Sequence, residues 1–318
     1  EWFESREVEL YTQPDNRVFP KSNDSQTIVD CLFAETKRLG IDLQLGVGVS
    51  SIELKEDKIE LSFQGETKPR TFDKVIVATG GSPKRKGFDL LENLGHKIEE
   101  PVPSLFTFNM PNEPIKELMG VSVQNTLVCV QGTKLKSSGP LLVTHWGMSG
   151  PAILKLSAFG ARTLHDMSYE FNVQVNWSGE PNSEVVIEKL REVEDANPNK
   201  ILGNVKPFEL PERMWHFLLS RSELPTTKKW NELGKKGRNK LVNTLTNDVY
   251  KVSGKTTFKE EFVTCGGVSL EDVNFKTMES RVCPNLYFAG EVLDIDGITG
   301  GYNFQAAWTT GFIAGKLN

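Results

Sequence analysis

The stretch from Leu286 to Trp308, Leu-Tyr-Phe-Ala-Gly-Glu-Val-Leu-Asp-Ile-Asp-Gly-Ile-Thr-Gly-Gly-Tyr-Asn-Phe-Gln-Ala-Ala-Trp, constrains this chain more than any other. Its opening apolar run does not alternate, which is the pattern of a strand covered on both faces. The run ends at Gly290-Glu291. A polar loop with Asp294, Asp296 and Gly297 follows, and Gly300-Gly301 opens a helix expected from about Tyr302 to Leu317. Glycines at a helix N-terminus bare the backbone N–H groups and let a ligand come close. The helix end is partly positive and suits a phosphate or an electron-rich ring edge. In open α/β sheets ligands gather at the C-terminal ends of strands, where Glu291 stands ready to accept hydrogen bonds from sugar hydroxyls.

Lys74-Val-Ile-Val-Ala-Thr-Gly-Gly81 repeats the buried-strand pattern near the other end of the chain. Before it, apolar Ile28, Leu32 and Leu39 predict a helix over 22–39, capped by Ser22, Asn23 or Asp24 and stopped at Gly40. Ile41–Leu45 alternates as a strand, and 49–54 with 59–63 reads as a hairpin. Together these predict an α/β layer.

Residues 102–178 instead carry short apolar stretches separated by Pro, Gly, Asn and Ser, the pattern of a small β-domain. One helix is expected after Ser149-Gly150, where Pro151 sits at a first-turn position that costs no hydrogen bond. Residues 183–250 read as four helices, around Val186–Val193, from Pro211, around Trp230–Leu233 and around Leu241–Leu245. Strand signals return at 256–258, 261–263 and 265–268. Trp215 and Trp230 are read as helical core.

The 318 residues carry 37 Lys plus Arg against 42 Asp plus Glu, a formal charge of −5. That balance argues against a protein whose main business is gripping phosphates, so no nucleic-acid partner is expected. No apolar run approaches the ~20 residues of a membrane span. The start has no basic and apolar leader pattern. Cys31, Cys129, Cys265 and Cys283 have no knuckle spacing and read as reduced thiols, so a cytoplasmic location is expected.

These residues carry a resemblance. The 286–308 stretch resembles the C-terminal flavin loop of the bacterial BaiN/YhiN-like FAD-dependent oxidoreductases, also called the aminoacetone-oxidase-like family. Arg17-Val-Phe-Pro20, Val75–Gly81, Thr144-His-Trp-Gly-Met-Ser-Gly-Pro-Ala-Ile-Leu154, and Phe262-Val-Thr-Cys-Gly-Gly-Val268 with Thr277-Met-Glu-Ser280 are similar to the same family, in the same order. The resemblance implies the α/β class: a Rossmann-like, two-dinucleotide-binding FAD domain (1–101 and 283–318), interrupted by a β-barrel-like domain (102–178 and 255–282) with a helical insert (179–254).

It also implies roles. Gly290 and Glu291 would contact the ribityl–pyrophosphate part of FAD. Gly300, Gly301, Tyr302 and Asn303 would offer backbone N–H groups to the N1/O2 edge of the flavin. Thr79, Gly80 and Gly81 would line the dinucleotide, Val49 would lie beside the adenine, and Asp296 is a polar loop residue beside the flavin. His145 is the candidate proton or hydrogen-bond donor, and Arg17 the candidate anchor for an acidic substrate or the flavin O2 side. The implied activity is hydride transfer between FAD and a small-molecule substrate, with NAD(P)H as reductant; no second Gly-x-Gly-x-x-Gly marks a nicotinamide site.

The family's opening strand, Gly-x-Gly-x-x-Gly turn and helix have no match. Gly46-x-Gly48 lacks the third glycine and leads into a hairpin. The chain therefore reads as the family protein without its first roughly one hundred residues, about a βαβ unit and a loop, and weak FAD binding or none is expected. Asp294-x-Asp296-Gly297 resembles the start of a calcium loop, but Gln305 stands where the twelfth-position Glu belongs, and no metal is expected. Lys228-Lys229 and Lys235–Lys240 form a basic run, either a solvated helix face or a patch for an anionic partner. The latter is the alternative function, a non-catalytic module.

Overall fold

The computed structural model describes residues 1–14, 16–256 and 263–317. Among them, Val75–Val77 and Leu286–Phe288 pair in parallel, joining the two buried-strand signals across more than two hundred residues of chain. This pair closes one end of a four-stranded sheet in the order Val273–Asn274, Glu279–Ser280, Leu286–Phe288, Val75–Val77. A parallel pair needs a long crossover, and here the whole middle of the chain supplies it. Leu286, Tyr287 and Phe288 are all buried, as expected. Ile76, however, is 39% exposed, so the partner strand is covered on one face only.

The hairpin forms as predicted, Val49–Lys55 against Lys58–Phe63, with Arg70–Phe72 as a third strand. Ile59 and Leu61 sink into a core with Phe88, Leu286, Phe288 and Val292. The first helix runs Gln26–Arg38 and buries no residue. Ile41–Leu45 is not a strand. Its alternation is real, but Ile41, Leu43 and Leu45 are exposed. A strand needs a partner for its backbone groups, and this segment pairs with none of the described strands.

The middle of the chain forms a seven-stranded antiparallel sheet, in the order Asp248–Ser253, Glu170–Asn176, Ser122–Val130, Lys136–Val143, Gly147–Ser149, Thr107–Asn109, Lys255–Thr256. The two end strands are consecutive in sequence, separated only by Gly254, so the sheet curls round on itself. Asn109 N–H donates to the Gly254 carbonyl at 3.1 Å, tying the curl. Helix Pro151–Phe159 starts at the expected proline and buries Ala152, Ile153 and Leu156 on the sheet.

Helices Ser183–Ala196, Glu212–Arg221 and Gly234–Thr246 follow. The helix expected around Trp230–Leu233 is only a single 3-10 turn, Trp230–Glu232. Trp215 and Trp230 stack inside, with centroids 6.5 Å apart, in the same core as Phe108, Val173 and Tyr250 of the sheet. The insert and the sheet thus share one apolar interior. Strand Asp248–Ser253, placed with the insert from sequence, belongs to the curled sheet, and strands 273–274 and 279–280, placed with the barrel, belong to the four-stranded sheet. Strand signals at 257–258 and 261–262, with Phe262, lie outside the described residues. Among those residues no helix is long and apolar enough to cross a membrane.

Candidate functional site

Two loops and a strand meet beyond the C-terminal ends of the parallel pair. Val77 runs into Thr79-Gly80-Gly81, Phe288 runs into Ala289-Gly290-Glu291, and strand Val263–Val268 crosses between them. The Ala289 N–H donates to the Val77 carbonyl at 3.0 Å, extending the ladder to the edge. A Cβ on Gly81 would lie 3.3 Å from the Thr264 side chain and 3.4 Å from the Glu291 carbonyl oxygen. That spacing ties the Gly80-Gly81 turn to the other two segments.

The Cys265-Gly266-Gly267 block explains itself by crowding. A Cβ on Gly266 would sit 2.5 Å from the Glu100 carbonyl oxygen, and one on Gly267 2.5 Å from that of Val292. No side chain fits either contact. The bare backbone lets the 290–294 loop lie on the strand, where Asp294 N–H donates to the Val268 carbonyl at 3.0 Å. It also breaks the register with Ile98–Ser104 between Cys265 and Gly267.

The loop acids are held by the barrel side. Ser104 Oγ donates to Asp296 Oδ2 at 2.7 Å. Arg162 Nη2 reaches both Asp294 oxygens, at 2.8 and 3.0 Å. Burial pushes the Asp294 carboxyl up, and the Arg162 guanidinium pulls it back. Burial first, then the Asp296 charge, pushes the Cys265 thiol up to about 12. Cys265 therefore stays a protonated thiol through the neutral range. No group of three metal-ligating side chains occurs among the described residues.

Helix Tyr302–Ala314 begins from Gly301, whose φ of 87° is a left-handed conformation that disfavours side chains. No side chain caps this N-terminus, so its first N–H groups are bare. Asn303 does more than offer backbone: its Oδ1 accepts from Gly297 N–H at 2.6 Å and its Nδ2 donates to the Gly297 carbonyl at 3.1 Å, clamping the loop to the helix. Thr310 Oγ1 accepts from Gly290 N–H at 2.9 Å, fixing the helix against the strand end.

The glycine backbones at the strand ends and at the helix start are of the kind a dinucleotide can approach closely. A Cβ on Gly80 or on Gly301 would meet nothing within 4 Å, so both backbones face open space. Gly81 lies against Thr264 and Glu291, Gly290 is tied to Thr310, and Gly297 is tied to Tyr302 and Asn303. Val49 packs on the core beneath, in the three-stranded sheet. His145 and Arg17 stand on other elements. His145 is exposed at the 143–147 turn of the curled sheet, its ring 4.6 Å from that of Trp146. Arg17 is on the hairpin formed by Leu10–Thr12 and Val18–Pro20, its guanidinium 5.8 Å over Phe19.

Sequence reasoning missed Ser104, Arg162 and Thr310 as builders of this loop. The first two pair with residues 192 and 132 positions away, a separation no local pattern encodes. Thr310 was legible in part, as the lone polar residue on the buried side of an apolar helix.

The HI0933-like protein Rossmann domain model matches residues 1–317. The ribosomal RNA dihydrouridine synthase of Escherichia coli is 30% identical over 295 residues, covering 90% of this chain and 70% of that protein. The 3-dehydro-bile acid delta(4,6)-reductase of Clostridium scindens is 26% identical over 311 residues, 94% and 74% respectively. The ribosomal RNA dihydrouridine synthase of Haemophilus influenzae is 28% identical over 298 residues, 91% and 71%. A match across nearly the whole chain, on a fold whose parallel pair ends in this glycine cradle, fixes the assignment: the chain belongs to the HI0933-like protein Rossmann domain family.

Proposed function

We propose that this protein is a flavin-dependent reductase that saturates a carbon–carbon double bond conjugated to a carbonyl, with FAD in the glycine cradle and NAD(P)H as reductant. The family and the reductase relative support the general class, a flavin-dependent oxidoreductase. The finer reading draws on the relatives' names, one describing dihydrouridine formation and the other a delta(4,6)-reductase. Both are reductions of polarised double bonds.

The observation that carries the reading is the glycine-lined end of the parallel pair, where Gly81 lies against Glu291, together with the uncapped helix start at Gly301. A bound flavin would supply a hydride at N5. The bare N–H groups of the 302–314 helix would hold the N1/O2 edge and stabilise negative charge there. Glu291 would take sugar hydroxyls. Arg162 and Ser104 would keep Asp294 and Asp296 turned into the barrel, so the loop keeps its shape when loaded. His145 would hydrogen-bond or protonate the substrate and Arg17 would anchor it; both roles rest on the family resemblance.

This chain spans 70–74% of its relatives' lengths. The phosphate-gripping turn would come from the remaining part of such a protein, so the 1–318 chain alone would hold FAD weakly. The test is FAD titration by flavin fluorescence, first on 1–318 and then on a chain extended by the family's opening strand, turn and helix. Tight binding by the extended chain and weak binding by 1–318 is expected, followed by rapid bleaching of the flavin with NADH or NADPH. Stoichiometric flavin on 1–318 would remove the weak-binding claim. No flavin on the extended chain would remove the function. His145→Ala in the extended chain should lower turnover at least tenfold without loss of flavin.

A further inference from the structure

Among the described residues His96 is the only buried histidine, 2% exposed. It follows the short helix Asp89–Asn93, and its ring stands edge-on to that of Phe288, with centroids 5.2 Å apart. Its Nδ1 lies 3.0 Å from the Leu91 carbonyl oxygen and its Nε2 2.7 Å from Ser280 Oγ. A carbonyl can only accept, so Nδ1 carries the ring proton. Ser280 Oγ already accepts from the Val282 N–H at 3.0 Å and the Cys283 N–H at 2.9 Å, which occupies both of its lone pairs. Its own O–H is therefore donated to Nε2, and the imidazole is neutral.

A second proton has no place in this arrangement. It would sit on Nε2 and face an oxygen whose lone pairs are taken, in a buried site where an uncompensated charge is costly. Burial pushes the His96 pKa down, and the Leu91 carbonyl and the Asp272 carboxylate pull it back less strongly. Asp272 also accepts from the Lys97 N–H at 2.6 Å. The other charged groups on the surrounding elements are held elsewhere. Glu92 pairs with Arg85, Lys97 with Glu99, Glu279 accepts from the Asn285 N–H, and Arg281 donates to the Val273 carbonyl. Burial pushes the neighbouring Cys283 thiol up, so it stays neutral.

The pair backs the strand that leads to the cradle. Glu279 pairs with Tyr287, Phe288 N–H donates to the Met278 carbonyl at 3.0 Å, and the chain reaches Gly290 two residues later. We propose that His96 and Ser280 form an acid-sensitive latch on this sheet, closed while the imidazole is neutral and opened when it takes a second proton. Opening turns the Ser280 hydroxyl, breaks its bonds from Val282 and Cys283, and frees the 280–285 turn from Leu286–Phe288. An opened chain binds the proton near the ordinary histidine value of about 6.5, and the closed one only below it. The latch therefore contributes fully above about pH 6.5, and its contribution is lost as pH falls from there towards the lower folded value. It belongs to the sheet rather than to the cofactor, so its test is independent of the reductase reading.

The test uses the 1–318 chain. Imidazole nitrogen spectra of the labelled protein should show His96 with Nδ1 protonated and Nε2 bare, unchanged from about pH 7 to about 5.5, a range that spans the ordinary histidine value. Amide exchange at Phe288 and Ala289, corrected for its intrinsic pH dependence, should quicken severalfold over the same range, within the limit of about tenfold per pH unit for one proton. His96→Phe keeps a ring against Phe288 and removes the titration, so its exchange should lose that pH dependence whatever its overall stability. Ser280→Ala removes the donor to Nε2, and His96 should then titrate closer to its ordinary value. An Nε2–H tautomer, pH-independent exchange in the parent, a pH dependence that survives in His96→Phe, or a His96 titration unmoved by Ser280→Ala would each overturn the proposal.

Discussion

Helices Glu212–Arg221 and Gln26–Arg38 carry similar patterns and meet opposite fates. The first buries Met214, Trp215, Leu218 and Leu219 almost completely in the core it shares with the curled sheet. The second presents Val29, Leu32 and Phe33 to the outside and buries nothing. The terminal helix Tyr302–Ala314 stands between them: Thr310 and Ala314 are buried, while Phe304 and Phe312 are 74% and 69% exposed. Apolar spacing decides that a segment is a helix. What covers it is decided by which chain lies alongside, and spacing is silent on that.

The difference is largest in what each region contributes to stability. Trp230 is wholly buried and stacked on Trp215, so Trp230→Ala should cost about 3–5 kcal/mol. Phe33→Ala removes a ring of similar kind from an open helix and should cost under about 0.5 kcal/mol. Urea unfolding of both variants measures the contrast. Equal losses would show that Gln26–Arg38 is packed in solution and would end the comparison.

A middle-sized effect belongs to the crossing of strand and loop. Gly267→Ala would drive a Cβ to 2.5 Å from the Val292 carbonyl oxygen at a φ of 138°. Backbone on both sides leaves no flexible side chain to move, so a loss of about 2–3 kcal/mol is expected, within the range of overpacking. Gly301→Ala adds a Cβ to open space and costs only its left-handed φ, about 1 kcal/mol. Calorimetry that ranked the two in reverse would mean the 290–294 loop lifts away easily.

The same contrast divides what was legible in the sequence. The positions of both parallel strands, the hairpin, the proline-started helix and the glycine-opened helix were readable because each is a local pattern with a local cause, though Val75–Val77 is covered on one face only. Ile41–Leu45 misled because alternation predicts a half-buried strand only where a neighbour exists. Trp230–Leu233 misled because two large apolar residues at helical spacing also fit one tight turn under a core. In the site, the glycines were visible as glycines. Their reason was not: Gly266 and Gly267 are bare because Glu100 and Val292 press on them, and Asp294 and Asp296 are oriented by Arg162 on helix Ala161–Asp166 and Ser104 on strand Ile98–Ser104. Such pairings exist only once the chain has folded.

The smallest effect is a titration. Burial and the Asp296 carboxylate hold the Cys265 thiol up at about 12, so the folded chain keeps its proton where an unfolded chain would lose it near its ordinary value of about 8.5. The sign follows from linkage. A group that binds its proton more tightly when folded adds stability below its unfolded pKa, and that contribution drains away as pH rises towards the folded one. Stability of the parent should therefore decline between pH 9 and about 12, and Cys265→Ala should flatten that decline. Alkylation gives a second readout. At pH 8 iodoacetamide should modify the half-buried Cys31 of the open helix well before Cys265, since only the thiolate reacts. Comparable rates at both sites would mean that the cradle opens as readily as the first helix, and the contrast between the two regions would then be one of packing at rest rather than of stability.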